Sequence, residues 1–355
     1  MNAPESPASE SRLRLTAFSH GGGCGCKIAP AVLSDILSKT PLRALPPELM
    51  VGIESSDDAA VYRLNDAQAI IATTDFFTPI VDDPFDFGRI AATNALSDVY
   101  AMGGKPIFAL AIVGMPLDKL PVEAIQRILA GGESVCAAAG IPIAGGHSID
   151  TLEPIYGLVA MGVVNPERVK RNNRAQDGDV LILGKPLGVG ILSAALKKGK
   201  LSEAGYHQML TTTTQLNTAG VKLGEMVGVH AMTDVTGFGL AGHLLEICRG
   251  SKLGAEVRFD KLPVLAEALE WVKQGTFTGA SGRNWAGYGA QVVLPAGSPD
   301  WQRNLITDPQ TSGGLLVSCE RHSSDEVLRV FREEGFAEAH IIGEMKAGAP
   351  LLTLS

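Results

Sequence analysis

Short apolar runs alternate with helical patterns from about Met50 onward, and this alternation limits the chain to a few architectures. Buried strands are predicted by runs rich in Val and Ile, such as Ala69–Thr74, Ile107–Val113 and Ile155–Val164. A helix is predicted over Pro84–Gly103, where several alanines permit close packing. The sequence therefore predicts an α/β (α+β) fold in which mixed sheets pack with helices.

A polar segment near the middle of the chain predicts a domain boundary. Asn165–Gly178 is charged and rich in turn residues, and strand and helix patterns resume after it. The length of 355 residues suits two domains, since one domain spans about 100–200 residues. We predict a flexible, glycine-rich N-terminal arm over residues 1–50, an α/β domain over 51–165 and a second α/β domain over 166–355.

The charge and the cysteine pattern argue against several classes of protein. The chain has 30 Lys and Arg against 38 Asp and Glu, a net charge of −8, whereas a nucleic-acid partner needs a basic face. The sequence has no apolar run of about 18 residues that predicts a membrane span, and Met1–Ser11 has no apolar core of a secretory signal. Five scattered cysteines make no disulfide framework, so we expect a reducing, cytoplasmic setting.

The segment Ser19–Lys27, SHGGGCGCK, is the first candidate for chemistry. Its three consecutive glycines let the backbone adopt a positive φ and approach a ligand closely. Lys27 would lower the pKa of a neighbouring thiol, and a lysine is also a mobile charge suited to phosphate. The alternatives are a flexible arm with incidental thiols, or half of a zinc site for which the other cysteines offer no spacing. We favour the reactive site.

A second candidate is a set of aspartates beside apolar or small residues: Asp57, Asp58, Asp75, Asp98 and Asp234. Asp98 follows Asn94 by four residues, so both project from one face of the predicted helix. A buried charge needs a partner or a metal, and Mg²⁺ prefers oxygen ligands that it shares with substrate phosphates. Each aspartate alone fits a helix cap or a turn better, whereas the group predicts a site for Mg²⁺ and a nucleotide.

Two further glycine segments are weaker candidates. Ala144–Ser148, AGGHS, predicts a turn whose N–H groups and hydroxyl bind an anion, with a plain tight turn as the alternative. Asp308–Gly314, DPQTSGG, fits a structural turn at least as well as a binding role. The sequence has neither a P-loop nor the protein-kinase signatures, so ATP would depend on aspartates, metal ions and glycine turns. Arg283 and Asn284 lie in the stretch Gly279–Gly289, which is rich in Gly and Ser; a mobile loop near a ligand is one interpretation, and the sequence does not decide it.

Taken in order, these motifs resemble the selenophosphate synthetase (selenide, water dikinase) family, from about Arg14 to near the C-terminus. The resemblance rests on six stretches: Ser19–Pro30, Asp57–Tyr62, Thr73–Pro106, Ala144–Asp150, Ala231–His243 and Asp308–Gly314. The aspartate and glycine motifs alone are similar to a wider superfamily of ATP-using enzymes that includes aminoimidazole ribonucleotide synthetase and thiamine-monophosphate kinase. The CGCK arm narrows the match to one family.

The resemblance implies a two-domain architecture like that of aminoimidazole ribonucleotide synthetase, and a homodimer with ATP sites near the subunit interface. It implies a Mg²⁺-dependent reaction in which ATP, selenide and water give selenophosphate, AMP and orthophosphate. By the same resemblance, Cys24 is the catalytic thiol and Lys27 the lysine that contacts phosphate. The implied Mg²⁺ ligands are Asp58, Asp98 and Asp234. The implied ATP contacts are Ser55, Ser56, Asp57, Asp75 and Asp98, with Gly146, His147 and Ser148 reaching the nucleotide of the partner subunit.

This sequence departs from the family pattern at two places. Many members have selenocysteine where this chain has Cys24, so a sulfur-based enzyme is implied. Ser55 and Ser56 replace a bulkier or charged pair, so backbone contacts to ATP are expected there rather than side-chain contacts. Two alternatives stay open: a superfamily kinase or ligase that uses ATP without selenide, and a non-catalytic thiol carrier of selenium or metal. The product, AMP or ADP, separates all three.

Overall fold

The computed structural model describes residues 13–19, 21–26, 32, 36, 45–52 and 57–355, and it has two sheets with helices packed against them. The first sheet has the strand order β1-β2-β3-β6-β4-β5. Its strands are β1 (Leu49–Val51), β2 (Ala60–Arg63), β3 (Ala69–Phe77), β4 (Lys105–Met115), β5 (Ile143–Asp150) and β6 (Ile155–Val164). All neighbours pair antiparallel except β4 and β5, which are parallel.

Two helices, α1 (Pro84–Ala101) and α2 (Val122–Ala138), accompany the first sheet. Asp83 caps α1 by accepting from the N–H of Asp86, and Pro84 occupies the first turn, where no intrahelical donor is lost. The two helices approach closely because Gly88 has no Cβ, which would clash with the carbonyl of Ile128. Most of α1 is buried, including the polar residues Thr93, Asn94 and Ser97.

The second sheet has the order β10-β13-β9-β12-β7-β11-β8. Its strands are β7 (Val180–Leu183), β8 (Val229–Asp234), β9 (Gly254–Val257), β10 (Val292–Val293), β11 (Leu315–Cys319), β12 (His340–Lys346) and β13 (Leu352–Leu354). The helices of this half are α3 (Val189–Lys197), α4 (Glu203–Thr214), α5 (Ala219–Glu225), α6 (Gly239–Ser251), α7 (Ala266–Lys273), α8 (Gly279–Tyr288), α9 (Asp300–Ile306) and α10 (Ser324–Glu333).

Helix α1 joins the two halves of the molecule. Its Ser97 hydroxyl accepts from Asn217 at 2.7 Å, and Gly220 of α5 packs directly against the Tyr100 carbonyl. The loop before β2 also crosses over, since Asp58 accepts from the Thr233 hydroxyl of β8 at 2.7 Å. The ends of α1 and β8 therefore meet at the junction of the two halves.

The predicted α/β class with mixed sheets and helices is confirmed, one local prediction is wrong, and one open question is answered. The stretch Gly279–Gly289 is not a loop: α8 occupies it, because Thr278 caps the N–H of Ser281 and Asn284 is held by two backbone carbonyls. Ala144–Ser148 is not a turn: it lies within β5, and its pairing with β4 holds the backbone extended. Within the described residues, no helix is both long and apolar enough to span a bilayer.

Candidate active site

Three carboxylates converge where the two halves meet. Asp58 comes from the loop before β2, Asp98 from α1 and Asp234 from the end of β8. One oxygen of each lies within 4.8 Å of the others. The sequence analysis grouped these aspartates because each lies beside apolar or small residues. The fold brings them together, although Asp58 and Asp234 are far apart in the chain.

Electrostatic repulsion is strong in this cluster. Burial, followed by the nearby carboxylates of Asp234 and Asp98, raises the pKa of Asp58 well above its usual value. The hydrogen bond from the Thr233 hydroxyl opposes that shift by stabilising the charged form. Asp58 Oδ2 is buried and has no hydrogen-bond partner among the described residues. The donor set fits a hard divalent cation, which would both satisfy this oxygen and offset the repulsion.

Hydroxyl and amide groups of β3 and α1 orient the acidic side chains through hydrogen bonds. The Thr73 hydroxyl of β3 donates to Asp98 Oδ2. The Asn94 amide donates to Asp75 Oδ2 at 2.5 Å, and its own oxygen accepts the backbone N–H of Ser312 at 2.7 Å. The strand predicted over Ala69–Thr74 ends just before Asp75, but Asp75 lies inside β3, because β3 continues to Phe77 in its pairing with β6. Asp75 thus faces α1 from the floor of the site.

The segment Asp308–Gly314 is a buried turn beside this cluster. Ser312 adopts φ +52°, a left-handed conformation that is strained for a residue with a side chain. Its carbonyl accepts from Lys185 Nζ at 2.8 Å, while Asn94 binds its N–H. Gln310 accepts the N–H groups of Gly188 and Val189, both at 3.1 Å, at the start of α3. The turn is therefore held from three sides.

Lys185 is a site residue that the sequence analysis missed. It is 1% exposed, and its ammonium donates to the carbonyls of Gln215 at 2.7 Å and Ser312 at 2.8 Å. Burial lowers its pKa to about 7, against the opposing effect of Asp234. The available signal was a lone cation directly after an apolar strand and a glycine, which the local pattern did not connect to any partner.

The glycine-rich arm lies against the other side of the turn. Gly23 adopts φ +54° and donates its N–H to the Thr78 carbonyl at 2.9 Å, and a Cβ there would clash with Ile80 and Thr311. Cys24 lies in the 3₁₀ turn Gly23–Cys26, described through its backbone only. The Cys24 thiol, Lys27, Ser55 and Ser56 fall outside the described part of the structure, so their predicted roles stay predictions.

Two basic side chains of the second half bind carbonyls of the arm. Arg283 of α8 donates to the Gly25 carbonyl at 2.9 Å. Lys197 of α3 donates to the Ser19 carbonyl at 3.4 Å. The neighbouring Asn284 points inward, bonding the carbonyls of Gly237 and Thr307 at 3.0 Å each. The Arg–Asn pair whose role the sequence left open thus anchors α8 and reaches the thiol segment.

Other predicted site residues lie apart or serve a neighbouring contact. Asp57 accepts the N–H of Asn172 at 2.7 Å, across the two halves. Gly146, His147 and Ser148 lie on β5, at the outer edge of the first sheet. Two strands separate β5 from β3, a distance of about 14 Å at the usual strand spacing. Within one chain these three residues are remote from Asp75.

Two family models match the two halves of the chain. The family model for the N-terminal domain of AIR synthase related proteins matches residues 56–164, and the model for their C-terminal domain matches residues 176–351. These matches leave the predicted domain boundaries as predictions.

Curated relatives are similar over almost the whole chain. The selenide, water dikinase of Burkholderia ambifaria is 67% identical, covering 94% of this chain and 95% of its own. That of Pseudomonas straminea is 64% identical, with 95% of each chain covered. The enzyme of the same name from Rhizobium meliloti is 56% identical over 95% of this chain and 96% of its own.

Solved structures share the fold at low sequence identity. Thiamine-monophosphate kinase from Stenotrophomonas maltophilia superposes with a TM-score of 0.65 at 20% identity, covering 93% of this chain and 96% of its own. The hydrogenase maturation protein HypE in complex with ATP gives a TM-score of 0.61 at 19% identity, covering 96% and 94%. At this identity the likeness concerns the fold alone.

Proposed function

The chain belongs to the selenide, water dikinase family of AIR synthase related proteins, and we propose that it converts ATP, selenide and water into selenophosphate, AMP and orthophosphate. The observation that carries this proposal is identity of 56–67% over nearly the whole chain to enzymes of that name. The buried carboxylate cluster supports it, because a thiol carrier has no use for such a site.

Asp58, Asp98 and Asp234 are proposed to hold Mg²⁺ at the junction of the two halves. Bound Mg²⁺ would neutralise phosphate charge and orient the phosphates for transfer. The chain supplies the preorganised shell: Thr233 and Thr73 fix two of the carboxylates through hydroxyl hydrogen bonds.

The nucleotide and the arm are proposed to meet at this cluster. Asp57, Asp75 and Asp98, with Ser55 and Ser56, are proposed ATP contacts. Asn94 supports the orientation of Asp75, since its amide bonds the carboxylate while its oxygen is fixed by Ser312. Lys27 is proposed to contact phosphate and Cys24 to act at the selenium atom. The arm would also limit access of water to a phosphorylated intermediate until its hydrolysis is due.

We propose a homodimer that forms through β5 and the face beside it. Gly146, His147 and Ser148 lie on this strand and are proposed to approach the nucleotide of the partner subunit. Large apolar side chains are exposed along the same face, including Leu117 at 61% and Ile149 at 57%. An edge strand with such a face is a typical surface for pairing between copies. Light scattering on Ile149→Lys should give a monomer, and an unchanged mass would contradict this assignment.

A cytoplasmic location is also proposed. Cys136, Cys248 and Cys319 are buried free thiols, which is typical of a reducing compartment. Fractionation of cells that express the protein would test it.

An anaerobic assay by phosphorus NMR tests the reaction itself. With ATP, Mg²⁺ and selenide, we expect selenophosphate, AMP and orthophosphate in equal amounts. Cys24→Ser should abolish the selenophosphate signal, and Cys26→Ser is the matched control two positions away. ADP as the final nucleotide, or full turnover without selenide, would instead indicate a superfamily kinase with another substrate. Stoichiometric selenium binding without AMP would indicate a carrier.

A further inference from the structure

A cleft of about 620 Å³ lies between the glycine-rich arm, α3 and the start of α8, outside the carboxylate cluster. Gly21, Gly22 and Gly25 of the arm form one wall, so the cleft borders the segment that carries Cys24. Pro309 and Thr311 of the buried turn form its floor. No residue of the proposed Mg²⁺ or ATP set lines it among the described residues.

The charge of this cleft is opposite to that of the chain. The chain carries −8 in total, yet the charged residues that line the cleft in the described part of the structure are Lys197, Lys198 and Arg283. All three side chains are exposed, so their charges act on ions in solution. Cations gathered on the walls of a concave surface raise the local concentration of anions.

Two of the three cations are already fixed to the arm. Arg283 binds the Gly25 carbonyl, one peptide bond from Cys24, and Lys197 binds the Ser19 carbonyl. Asn284 anchors α8 to the carbonyls of Gly237 and Thr307, and this anchoring fixes the part of α8 that carries Arg283. The positive charge is therefore held at a defined position beside the thiol segment.

We propose that this cleft is the entry site for the anionic selenium substrate, hydrogenselenide, and that Arg283, Lys197 and Lys198 attract it to the arm. The inference rests on the proposed function for the identity of the anion. Hydrogenselenide is a soft, weakly hydrated anion, which suits a cleft whose lining combines cations with apolar residues such as Ile80 and Phe277. The cleft is far larger than this ion, so it concentrates the anion at the arm and does not enclose it.

The first test measures the charge at the thiol without any turnover. Cys24 is alkylated with iodoacetate, an anion, and with iodoacetamide, its neutral counterpart, in a Cys26→Ser background. The ratio of the two rates cancels changes in exposure of the thiol and reports the local potential. We expect Lys198→Gln and Arg283→Gln each to lower this ratio about threefold at low salt, as expected for removal of one charge at several ångströms. Arg283→Lys should restore most of it.

Arg329→Gln is the matched control, because it removes one exposed positive charge from α10, which does not line the cleft. This variant should leave the ratio unchanged. Equal ratios in wild type, Lys198→Gln and Arg283→Gln would overturn the proposal.

The second test measures the substrate itself. Lys198→Gln, whose side chain lines the cleft, should raise the KM for selenide about threefold at low salt and leave the KM for ATP unchanged. If wild type makes selenophosphate normally and the KM for selenide is unchanged in the variants, this inference is overturned while the proposed function stands. Absence of selenophosphate in wild type would refute the proposed function, and the alkylation ratio would still decide whether the cleft attracts anions.

Discussion

Two sites of opposite charge lie on either side of the buried turn Asp308–Gly314. On one side, Asp58, Asp98 and Asp234 concentrate negative charge in a largely buried cluster. On the other, the cleft beside the arm is lined by exposed cations. The two sites differ because one is buried and the other exposed. The buried carboxylates need a bound cation to offset their repulsion, whereas the exposed cations of the cleft attract anions through the solvent. The turn keeps the two charge sets apart.

The largest effect is expected from the cluster. Asp234→Asn keeps the shape of the side chain but removes one anionic ligand, so selenophosphate synthesis should fall by at least about 10²-fold. The shift in melting temperature that Mg²⁺ produces in wild type should also be lost. Activity within tenfold of wild type, with an intact Mg²⁺-dependent shift, would show that Asp234 does not hold the metal.

The next effect is expected from the arm. Gly23→Ala places a Cβ against Ile80 and Thr311 at a positive φ, so the thiol segment must move. A displacement of about 1 Å can lower a rate about 10²-fold, which we expect for kcat/KM in a protein with an unchanged melting temperature.

Gly25→Ala is the control for this variant. Its Cβ would lie 3.7 Å from Ala280 and from Pro309, an ordinary contact. We expect activity near that of wild type, and an equal loss in both alanine variants would mean that the conformation of Gly23 is not the cause.

The turn between the two sites depends on Lys185. Lys185→Met leaves the carbonyls of Gln215 and Ser312 without their buried donor, at about 1–3 kcal/mol for each group left unsatisfied. Release of the strained Ser312 should displace the turn, so kcat should fall about tenfold as well, an effect that stopped-flow AMP formation would measure.

Lys170→Met is the control for Lys185→Met. Lys170 is also a buried lysine with two carbonyl partners, Met226 at 2.8 Å and Val229 at 2.7 Å, but it lies away from the turn. In urea, the Lys170→Met variant should lose about as much stability as Lys185→Met, but it should keep the kcat of wild type. Loss of kcat in both variants would assign the effect to stability alone.

The last expected effect is a pH dependence of folding. Burial raises the pKa of Asp308 to about 8 in the folded state, above the 3.8 of an ordinary aspartate. The folded protein therefore holds a proton that the unfolded chain releases, so this group stabilises the fold at low pH. Its contribution falls by at most about 1.4 kcal/mol per pH unit as the pH rises from about 4 to 8. Urea titrations should show that Asp308→Asn, which stays neutral, lacks this slope, and an identical slope would contradict it.

Much of the fold followed from local pattern. The strand Ile155–Val164 and the helix from Pro84 were predicted within a few residues, because a β-branched run and a helix with a proline start are set by local chemistry. Glycine-rich segments were harder. Ala144–Ser148 became an edge strand and Gly279–Gly289 a helix, since glycine permits many conformations and pairing or capping decides among them.

The sequence by itself determined the α/β class, the apolar strands and the set of aspartates from which the cluster is built. Tertiary structure alone decided that Lys185 binds Ser312, 127 residues away, and that Arg283 binds Gly25, 258 residues away. The physical reason is that periodicity reports which face of an element is buried, but not which carbonyl of another element will meet a buried or reaching cation. Only the packing of α1, α3 and α8 around one turn brings those donors and acceptors together.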